Sequence, residues 1–191
     1  MKIILTRHGE TIENINGIMQ GHLPGRLSQE GIDQAKKLAF RLKDEKIDVI
    51  YSSDLARAAD TAREIHKYHA NSPLVLTPEI REFKLGVLEG KHKSFAEDVN
   101  WDKNLIEGAE TNGEARIRIK AFLDKIYKKH NRDTVCLIAH GGISTIIISL
   151  IVGKDIITSK ELKNTNVCIF EITEDKNCKI HLLNCTKHLN K

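Results

Sequence analysis

Two histidines in this sequence each follow an apolar run and precede a glycine. "LTRHG" ends the first run with Arg7 and His8, and "LIAHG" ends a later run with His140. A neutral imidazole can act as a nucleophile, and the guanidinium of arginine presents planar donors that match the oxygens of a phosphate. The two endings therefore predict chemistry on an oxyanion, provided that the fold brings them together.

The elements that would position these residues alternate between short apolar runs and stretches of helical periodicity. That alternation predicts an α/β domain with a largely parallel sheet. The predicted strands are "KIILT", "DVIYS", "PLVLT" and "TVCLIAH", and a final antiparallel hairpin of "VCIFEI" and "CKIHLLN" is predicted at the sheet edge. Helices are predicted after the N-cap Ser28, after "DVIYS", and from Glu114.

Two further segments are harder to assign. "GISTIIISLIV" is rich in β-branched residues, which favour a strand. Its length and its place after a strand and a glycine turn favour a buried helix, which we predict. Residues 81 to 112 have weak periodicity and several glycines, so we predict an irregular excursion with at most a short helix near Phe95.

The predicted order of elements places the polar residues at one edge of the sheet. In open α/β sheets, ligands bind beyond the carboxyl ends of the strands. His8 and His140 are predicted at such ends, and "SSDLARAADTA" places Arg57 in the first turn of a helix, whose N-terminus would offer free amides to an anion. We therefore expect the two histidines, Arg57 and Arg7 to converge on one anionic group.

Composition limits the class of protein. The 191 residues suit a single domain over residues 1–191; 29% are charged, and the formal net charge is +4. Basic residues form no dense tract, so we expect neither nucleic acid nor a membrane as a partner. The longest apolar run, "GGISTIIISLIVG", is shorter than the roughly 20 residues of a membrane-spanning helix. The four cysteines lack CxxC spacing, and we expect reduced thiols in a cytoplasmic protein without a secretion signal.

The motifs together resemble those of a known family. "LTRHGET", "SSDLARAADTA", "REFKLGVLEG" and "LIAHGG", in this order and at these separations, are similar to motifs of the histidine phosphatase superfamily, also called the phosphoglycerate mutase-like family. The resemblance extends from the first predicted strand to the final hairpin. It implies a three-layer α/β/α sandwich and phosphoryl transfer through a phosphohistidine, with no metal or other cofactor.

Carried over residue by residue, the resemblance implies that His8 is the nucleophile, with its other ring nitrogen held by a backbone acceptor. Gly9 would leave space for the phosphoryl group. Arg7 and Arg57 would bind the oxygens of that group, and His140 would bind them as a cation.

The resemblance also implies roles for residues outside these two strand ends. Asn14 would be a further neutral donor, and Gln20 and Gly21 would border the pocket. Glu82 would be the general acid and base, whereas Glu89 in the same segment would be structural. Glu82 would have to be protonated for the first step, which partial burial would favour, and would then accept a proton from the hydrolytic water.

Other interpretations of these residues stay open on the sequence alone. Arg57 can pair with Asp54 or Asp60 at the helix surface, and Glu82 can be a solvated carboxylate of the excursion. Asn14 and Gln20 can be ordinary loop residues that stabilise turns.

One segment departs from the pattern of the family. Where many relatives read Gly-x-x-Asp-x-Pro-Leu-Thr, this chain has "GHLPGRLS". If Arg26 in this segment faced the pocket, it would bind a second anionic group of the substrate. The sequence leaves open whether Arg26, His22 or Trp101 lines the pocket.

The resemblance favours a phosphomonoesterase that acts on a small phosphorylated metabolite, as a monomer or homodimer. The segment around Glu82 is similar to the phosphatase pattern and differs from the "ERHYG" form of the mutases. The chain also lacks the long insertion and tail of those mutases. The alternatives are phosphoglycerate mutase-type phosphoryl transfer and a regulatory protein that binds phosphate without turnover. In each case the excursion at about 83–112 would select the substrate.

Overall fold

The computed structural model describes residues 1–96, 99, 106–158, 160–175 and 177–190, and within them six strands form one sheet. The strands are β1 (Lys2–Arg7), β2 (Val49–Ser53), β3 (Leu74–Thr77), β4 (Thr134–Ala139), β5 (Val167–Ile172) and β6 (Cys178–Cys185). Their spatial order is β3-β2-β4-β1-β5-β6. The first four strands run parallel, β5 runs antiparallel to β1, and β6 runs antiparallel to β5. The predicted mostly parallel sheet with an edge hairpin is confirmed.

The described helices lie between these strands along the chain. They are α1 (Ile12–Ile15), α2 (Gln29–Leu42), α3 (Ala56–His66), α4 (Asn112–His130) and α5 (Gly141–Val152). No helix in the described part of the chain is both long enough and apolar enough to cross a bilayer.

Hydrophobic side chains point alternately to the two faces of the sheet. Ile3 of β1 lies in a buried cluster that includes Ile119 of α4 and side chains of α5. The next residue, Ile4, faces the opposite side and joins a second cluster that includes Leu38 of α2 and side chains of α3. Because strand side chains alternate with a period of two, one sheet is covered by helices on both faces. The predicted three-layer α/β/α architecture is confirmed.

The segment with conflicting signals forms α5, so the helix prediction is confirmed. Ile143, Ile147 and Ile148 in this helix are fully buried. Burial outweighs the weak preference of β-branched residues for strands, because packing contributes more than intrinsic propensity. The helix ends at Gly153, whose φ of +79° is a conformation that glycine adopts without strain.

Two helix starts illustrate how side chains set the boundaries. Ser28 caps α2 as predicted, and its Oγ accepts a hydrogen bond from the Gly31 N–H at 2.9 Å. Helix α4 begins at Asn112, two residues before the predicted start. Thr111 and Glu114 form a capping box there, since each side chain accepts from the backbone N–H of the other, at 3.2 and 2.8 Å.

The excursion before α4 is irregular, as predicted. After a 3-10 turn at Pro78–Ile80, its described residues contain short 3-10 turns at Gly86–Leu88 and Lys93–Ala96. The last of these turns occupies the place of the short helix predicted near Phe95. Trp101 lies outside the described residues.

Candidate active site

The register of β1 and β4 brings the two strand ends together. Arg7 lies opposite Ala139, and the backbone N–H of His8 donates to the carbonyl oxygen of Ala139 at 3.1 Å. The next residues, His8 and His140, are therefore neighbours, with ring centroids 5.1 Å apart. Both side chains are buried, with 2% and 0% of their surface exposed.

His8 has one ring nitrogen available for bond formation. Its Nδ1 lies 2.7 Å from the carbonyl oxygen of Gly9. A carbonyl only accepts hydrogen bonds, so Nδ1 carries the proton and Nε2 carries a lone pair. Burial, followed by the positive charges of Arg57 and Arg7, lowers the pKa of His8 well below its usual value. His8 is therefore a neutral imidazole, and its Nε2 makes no hydrogen bond to a described residue.

His140 has the opposite tautomer. Its Nδ1 accepts a hydrogen bond from Nε of Arg57 at 3.2 Å, which leaves the proton on Nε2. That buried Nε2 has no hydrogen-bond partner among the described residues. Burial, then the charge of Arg57, lowers the pKa of His140 well below its usual value. The lowered pKa disfavours the cation expected for His140, and the structure presents this ring as a neutral donor.

Arg57 is almost completely buried, with 1% of its surface exposed. Its Nη1 donates to the carbonyl of Leu23 at 2.6 Å, and its Nη2 donates to that of Gly21 at 2.9 Å. Burial lowers the pKa of Arg57 to about 10, so the side chain remains charged at neutral pH.

The alternative of a surface ion pair for Arg57 is wrong. Asp54 instead binds Arg81, and Asp60 binds Arg63. Arg57 points inward from the first turn of α3, toward the loop that contains Gly21 and toward His140.

Arg7 supplies a second guanidinium at the same place. Its Nη1 donates to the carbonyl of Leu162 at 2.8 Å. Its buried Nε has no hydrogen-bond partner within the described parts of the chain. Burial lowers the pKa of Arg7, whereas the nearby charge of Glu82 raises it. Arg7 thus keeps an unused donor.

Asn14 is oriented by its neighbours. Its Oδ1 accepts from the backbone N–H of Thr11 at 3.2 Å and lies 3.5 Å from Nδ2 of Asn164. Because the oxygen of this amide receives both donors, its NH₂ group is left to face another acceptor. The structure therefore presents Asn14 as a donor.

The segment before β5, residues 164–166, forms hydrogen bonds to the backbone of Arg7 and His8. The sequence did not predict this role. Asn164 donates to the carbonyl of His8 at 3.0 Å, and Asn166 accepts from the backbone N–H of Arg7 at 3.0 Å. Between them, Thr165 has a φ of +51°, a strained conformation for a β-branched residue. In the sequence, the two asparagines around Thr165 only weakly indicate a functional role. Their hydrogen-bond partners, at the end of β1, become apparent only once β5 is known to lie beside β1.

Gln20 and Gly21 lie at the border of the site. Gln20 is buried, and its Nε2 donates to Oγ1 of Thr11 at 2.9 Å. Gly21 has a φ of +50°, and a Cβ at this position would lie 2.3 Å from Oε1 of Glu89. Glu89 accepts from the backbone N–H groups of His22 and Leu85, at 2.9 and 3.0 Å, which agrees with a structural position.

Glu82 lies at the N-terminus of α5. Its carboxylate accepts from the N–H groups of Gly142 at 3.1 Å, Ile143 at 3.2 Å and Phe83 at 3.0 Å. The alternative of a freely solvated loop carboxylate is wrong. Three backbone amide donors therefore hold this carboxyl group in a fixed position in the lining of the cavity.

The structure shows a packing reason for the glycine at residue 9, which the sequence did not predict. A Cβ at residue 9 would lie 2.4 Å from the carbonyl oxygen of Gly31, in the first turn of α2. The missing side chain therefore permits close packing of the β1 end against α2. The expectation that Gly9 also leaves space for a phosphoryl group stays a prediction.

These residues surround a cavity of about 390 Å³. Its lining residues are Arg7, His8, Asn14, Ile18, Met19, Gln20, Gly21, Arg57, Glu82, Phe83, Leu85, Glu110, Asn112 and Gly142. The predicted site residues are thus brought together, with His140 buried beside His8 but outside this lining set. The lining also contains the apolar residues Ile18, Met19 and Phe83, which were not predicted from the sequence.

The two described residues whose position was left open do not line this cavity. Arg26 is exposed, and its backbone N–H donates to Glu13 at 3.2 Å, so the hypothesis that Arg26 binds a second anionic group is wrong. His22 lies behind the site, where its Nε2 donates to the carbonyl of Glu82 at 2.8 Å. Among the described residues, no group of three or more His, Cys, Asp or Glu could hold a metal ion.

Comparison with known proteins identifies the family. A metal-independent phosphoserine phosphatase from Arabidopsis thaliana is 31% identical over 188 residues, which cover 92% of this chain and 78% of that protein. Phosphoserine phosphatase 1 from Hydrogenobacter thermophilus is 32% identical over an alignment 201 positions long, covering 99% of this chain and 94% of that protein. The structure of YhfR from Bacillus stearothermophilus has the same fold, with a TM-score of 0.88, 24% identity and 99% of each chain covered. The family model of the histidine phosphatase superfamily (branch 1) matches residues 3–186, and the chain therefore belongs to this superfamily.

Proposed function

We propose that this protein is a metal-independent phosphomonoesterase that hydrolyses a small phosphorylated metabolite through a phosphohistidine on His8. The observation that carries the proposal is the neutral, buried His8, whose Nδ1 is bound to Gly9 and whose Nε2 is free. Two guanidinium groups, those of Arg7 and Arg57, line the same cavity. Membership of the superfamily and relatives named as phosphatases support this function.

In the first step, the lone pair on Nε2 of His8 attacks the phosphorus, and the bond from phosphorus to the ester oxygen breaks. The electron pair of that bond goes to the leaving oxygen, which takes a proton from Glu82. The guanidinium groups of Arg7 and Arg57 offset the charge on the phosphoryl oxygens, with the amide of Asn14 as a neutral donor. The products are an alcohol, a phosphohistidine and the Glu82 carboxylate.

In the second step, Glu82 takes a proton from a water molecule as the water oxygen attacks the phosphorus. The nitrogen–phosphorus bond breaks, and its electron pair returns to Nε2 of His8. The products are inorganic phosphate, a neutral His8 and a protonated Glu82, which is the acid needed for the next cycle.

The cavity lining favours small esters whose alcohol has no second anionic group. Its volume of about 390 Å³ lies within the range of small-molecule sites. The lining also includes the apolar residues Ile18, Met19 and Phe83. Among the described lining residues the charged bases are Arg7 and Arg57 alone, so none is left for the carboxylate of a phosphoglycerate. This arrangement supports hydrolysis over the mutase reaction.

The test is phosphate release from p-nitrophenyl phosphate and from a library of phosphorylated metabolites, in the presence of a chelator. We expect turnover by the wild type that the chelator does not reduce, and none by His8→Ala. Wild-type inactivity across a broad pH range would favour a binding protein, and retention of the wild-type rate by His8→Ala would contradict the mechanism. Interconversion of 3- and 2-phosphoglycerate faster than phosphate release would instead identify a mutase.

A further inference from the structure

Arg118 of α4 makes a set of contacts on both sides of Glu82. Its Nη1 donates to the carbonyl oxygens of Glu79 at 2.8 Å and Arg81 at 3.1 Å. Its Nε and Nη2 donate to the two carboxylate oxygens of Glu110, at 2.8 and 2.6 Å. One planar guanidinium therefore joins the peptide that precedes Glu82 to the far end of the excursion.

The ion pair of Arg118 and Glu110 is largely buried, with 23% and 15% of the side chains exposed. The backbone N–H of Glu110 also donates to the carbonyl of Lys84 at 2.8 Å. The chain is thus tied to Arg118 before Glu82, and to Glu110 shortly after it. A fork of parallel donors is a property of arginine that lysine lacks, so the geometry depends on this residue type.

The backbone at residue 81 is held from a second direction. The Arg81 side chain donates through Nε and Nη2 to the two carboxylate oxygens of Asp54, both at 2.6 Å. The Arg81 carbonyl is at the same time an acceptor of Arg118. The side chain and the carbonyl group of Arg81 are thus both held by hydrogen bonds. Because Glu82 is the next residue, its backbone is held in place as well.

We propose that Arg118 is a positioning residue for the acid and base chemistry of Glu82. Through the Arg81 carbonyl and through Glu110, it holds the Glu82 carboxyl group at the N-terminus of α5, beside the cavity. Arg118 does not itself line the cavity, whereas Glu82 and Glu110 do, so Arg118 acts through the groups that it holds. This inference rests on the proposed function, because it assigns a support to one group of that mechanism.

The dependence of the rate on the leaving group separates positioning from general damage to the site. Departure of 2,4-dinitrophenolate needs little protonation, whereas an alkoxide needs a proton from Glu82. The measurement is kcat/KM for 2,4-dinitrophenyl phosphate and for 2-phenylethyl phosphate, since this constant reports formation of the phosphohistidine. We expect Arg118→Met to lower kcat/KM for the alkyl ester by about tenfold or more, and for the dinitrophenyl ester by less than about twofold.

Two comparisons make the result specific. Arg116→Met is the matched control, because Arg116 lies on the same helix. Among its described hydrogen bonds, it contacts only Ser149 Oγ, at 3.3 Å. The Arg116→Met variant should hydrolyse both esters at the wild-type rate. Glu82→Gln should show the same leaving-group pattern as Arg118→Met. In the double variant, Arg118→Met should add no further loss on the alkyl ester, because two residues that act through one group are not additive.

The outcomes distinguish the inference from the function on which it rests. Equal losses on both esters, or a full additional loss in the double variant, would overturn the positioning role while leaving the phosphatase intact. If the wild type hydrolysed neither ester, the proposed function would fail together with the inference. If Arg118→Met does not fold, Arg118→Lys takes its place in the experiment. This variant keeps the charge and loses the fork of donors, and it should give the same leaving-group pattern with a smaller loss.

Discussion

At the scale of single residues, the site depends on two neighbouring histidines with opposite tautomers. The Gly9 carbonyl accepts a hydrogen bond from Nδ1–H of His8, whereas Nε of Arg57 donates to Nδ1 of His140. His8 consequently offers a lone pair from Nε2, and His140 offers an N–H from the same ring position. One ring is suited to attack an electrophile, and the other is suited to bind an oxygen.

We predict that nitrogen NMR of the histidines in phosphate-free buffer will show His8 as the Nδ1–H tautomer and His140 as the Nε2–H tautomer. Both rings should stay neutral as the pH falls through 6.5, the usual histidine pKa, because burial lowers the pKa of each. Spectra of His8→Asn and His140→Asn would assign the signals. Protonation of either ring near pH 6.5, or the same tautomer in both, would contradict this account.

Individual motif residues were easier to predict than their supports. His8, Arg57 and His140 lie in short motifs next to strand ends, so the sequence places them at one edge of the sheet. The contacts of Asn164 with His8, and of Glu82 with Gly142, join residues 156 and 60 positions apart. Such contacts depend on strand order and loop path, which local patterns do not encode.

At the scale of elements, the N-terminus of α5 lies next to His140 and also binds Glu82. The helix starts directly after His140, and its first turn donates two backbone N–H groups to the Glu82 carboxylate. A Cβ on Gly142 would lie 2.8 Å from Oε1 of Glu82 and 2.8 Å from the ring of Phe83. The helix thus holds Glu82 only because residue 142 has no side chain.

We predict that Gly142→Ala displaces the Glu82 carboxyl group and lowers kcat/KM for an alkyl phosphate by about tenfold or more, a part of the usual contribution of a general acid. Gly113→Ala is the matched control in the first turn of α4, where no atom lies within 4 Å of the added Cβ. It should leave the rate unchanged and increase the free energy of unfolding by up to about 1 kcal/mol. Steady-state kinetics and urea unfolding measure both effects, and an unchanged rate in Gly142→Ala would contradict the assigned role of Glu82.

The elements themselves were predicted well because their apolar periodicity is strong. The sequence of α5 was ambiguous, and its length and position decided the question correctly. The start of α4 was placed two residues late, since the polar capping box of Thr111 and Glu114 lies outside the apolar pattern. The details of the excursion could not be predicted, as it contains little periodic structure.

At the scale of the whole molecule, burial of neutral histidines links stability to pH. His8 and His140 have lowered pKa values in the folded protein, so below pH 6.5 the unfolded chain binds protons that the folded chain does not. The free energy of unfolding therefore decreases as the pH falls below 6.5. The half-buried His188, whose pKa is also lowered by burial, contributes with the same sign.

We predict a decrease in the free energy of unfolding between pH 6.5 and 5, by up to about 1.4 kcal/mol per pH unit for each of His8 and His140. Urea unfolding at several pH values measures this slope. The variant His8→Asn/His140→Asn should have a flatter slope over the same range. Equal stability of the wild type at pH 5 and 6.5 would mean that the two rings are not buried as neutral groups.

The overall architecture could be predicted from alternation of elements, but the adjacency of strands could not. Placement of β4 between β1 and β2 puts His140 beside both His8 and Arg57, which come from distant parts of the chain. The predicted convergence relied on a general rule for strand ends and on the family resemblance. The register of Arg7 with Ala139 explains physically why that convergence occurs.

The central claim is that Nε2 of His8 takes the phosphoryl group, and trapping the intermediate tests it most directly. Glu82→Gln should slow hydrolysis of the phosphohistidine more than its formation from 2,4-dinitrophenyl phosphate, so the intermediate should accumulate. Rapid quenching in base, followed by mass spectrometry of peptides, should then find one acid-labile phosphoryl group on His8, attached at Nε2. Turnover without phosphorylation of His8, or phosphorylation of another residue in its place, would contradict the account.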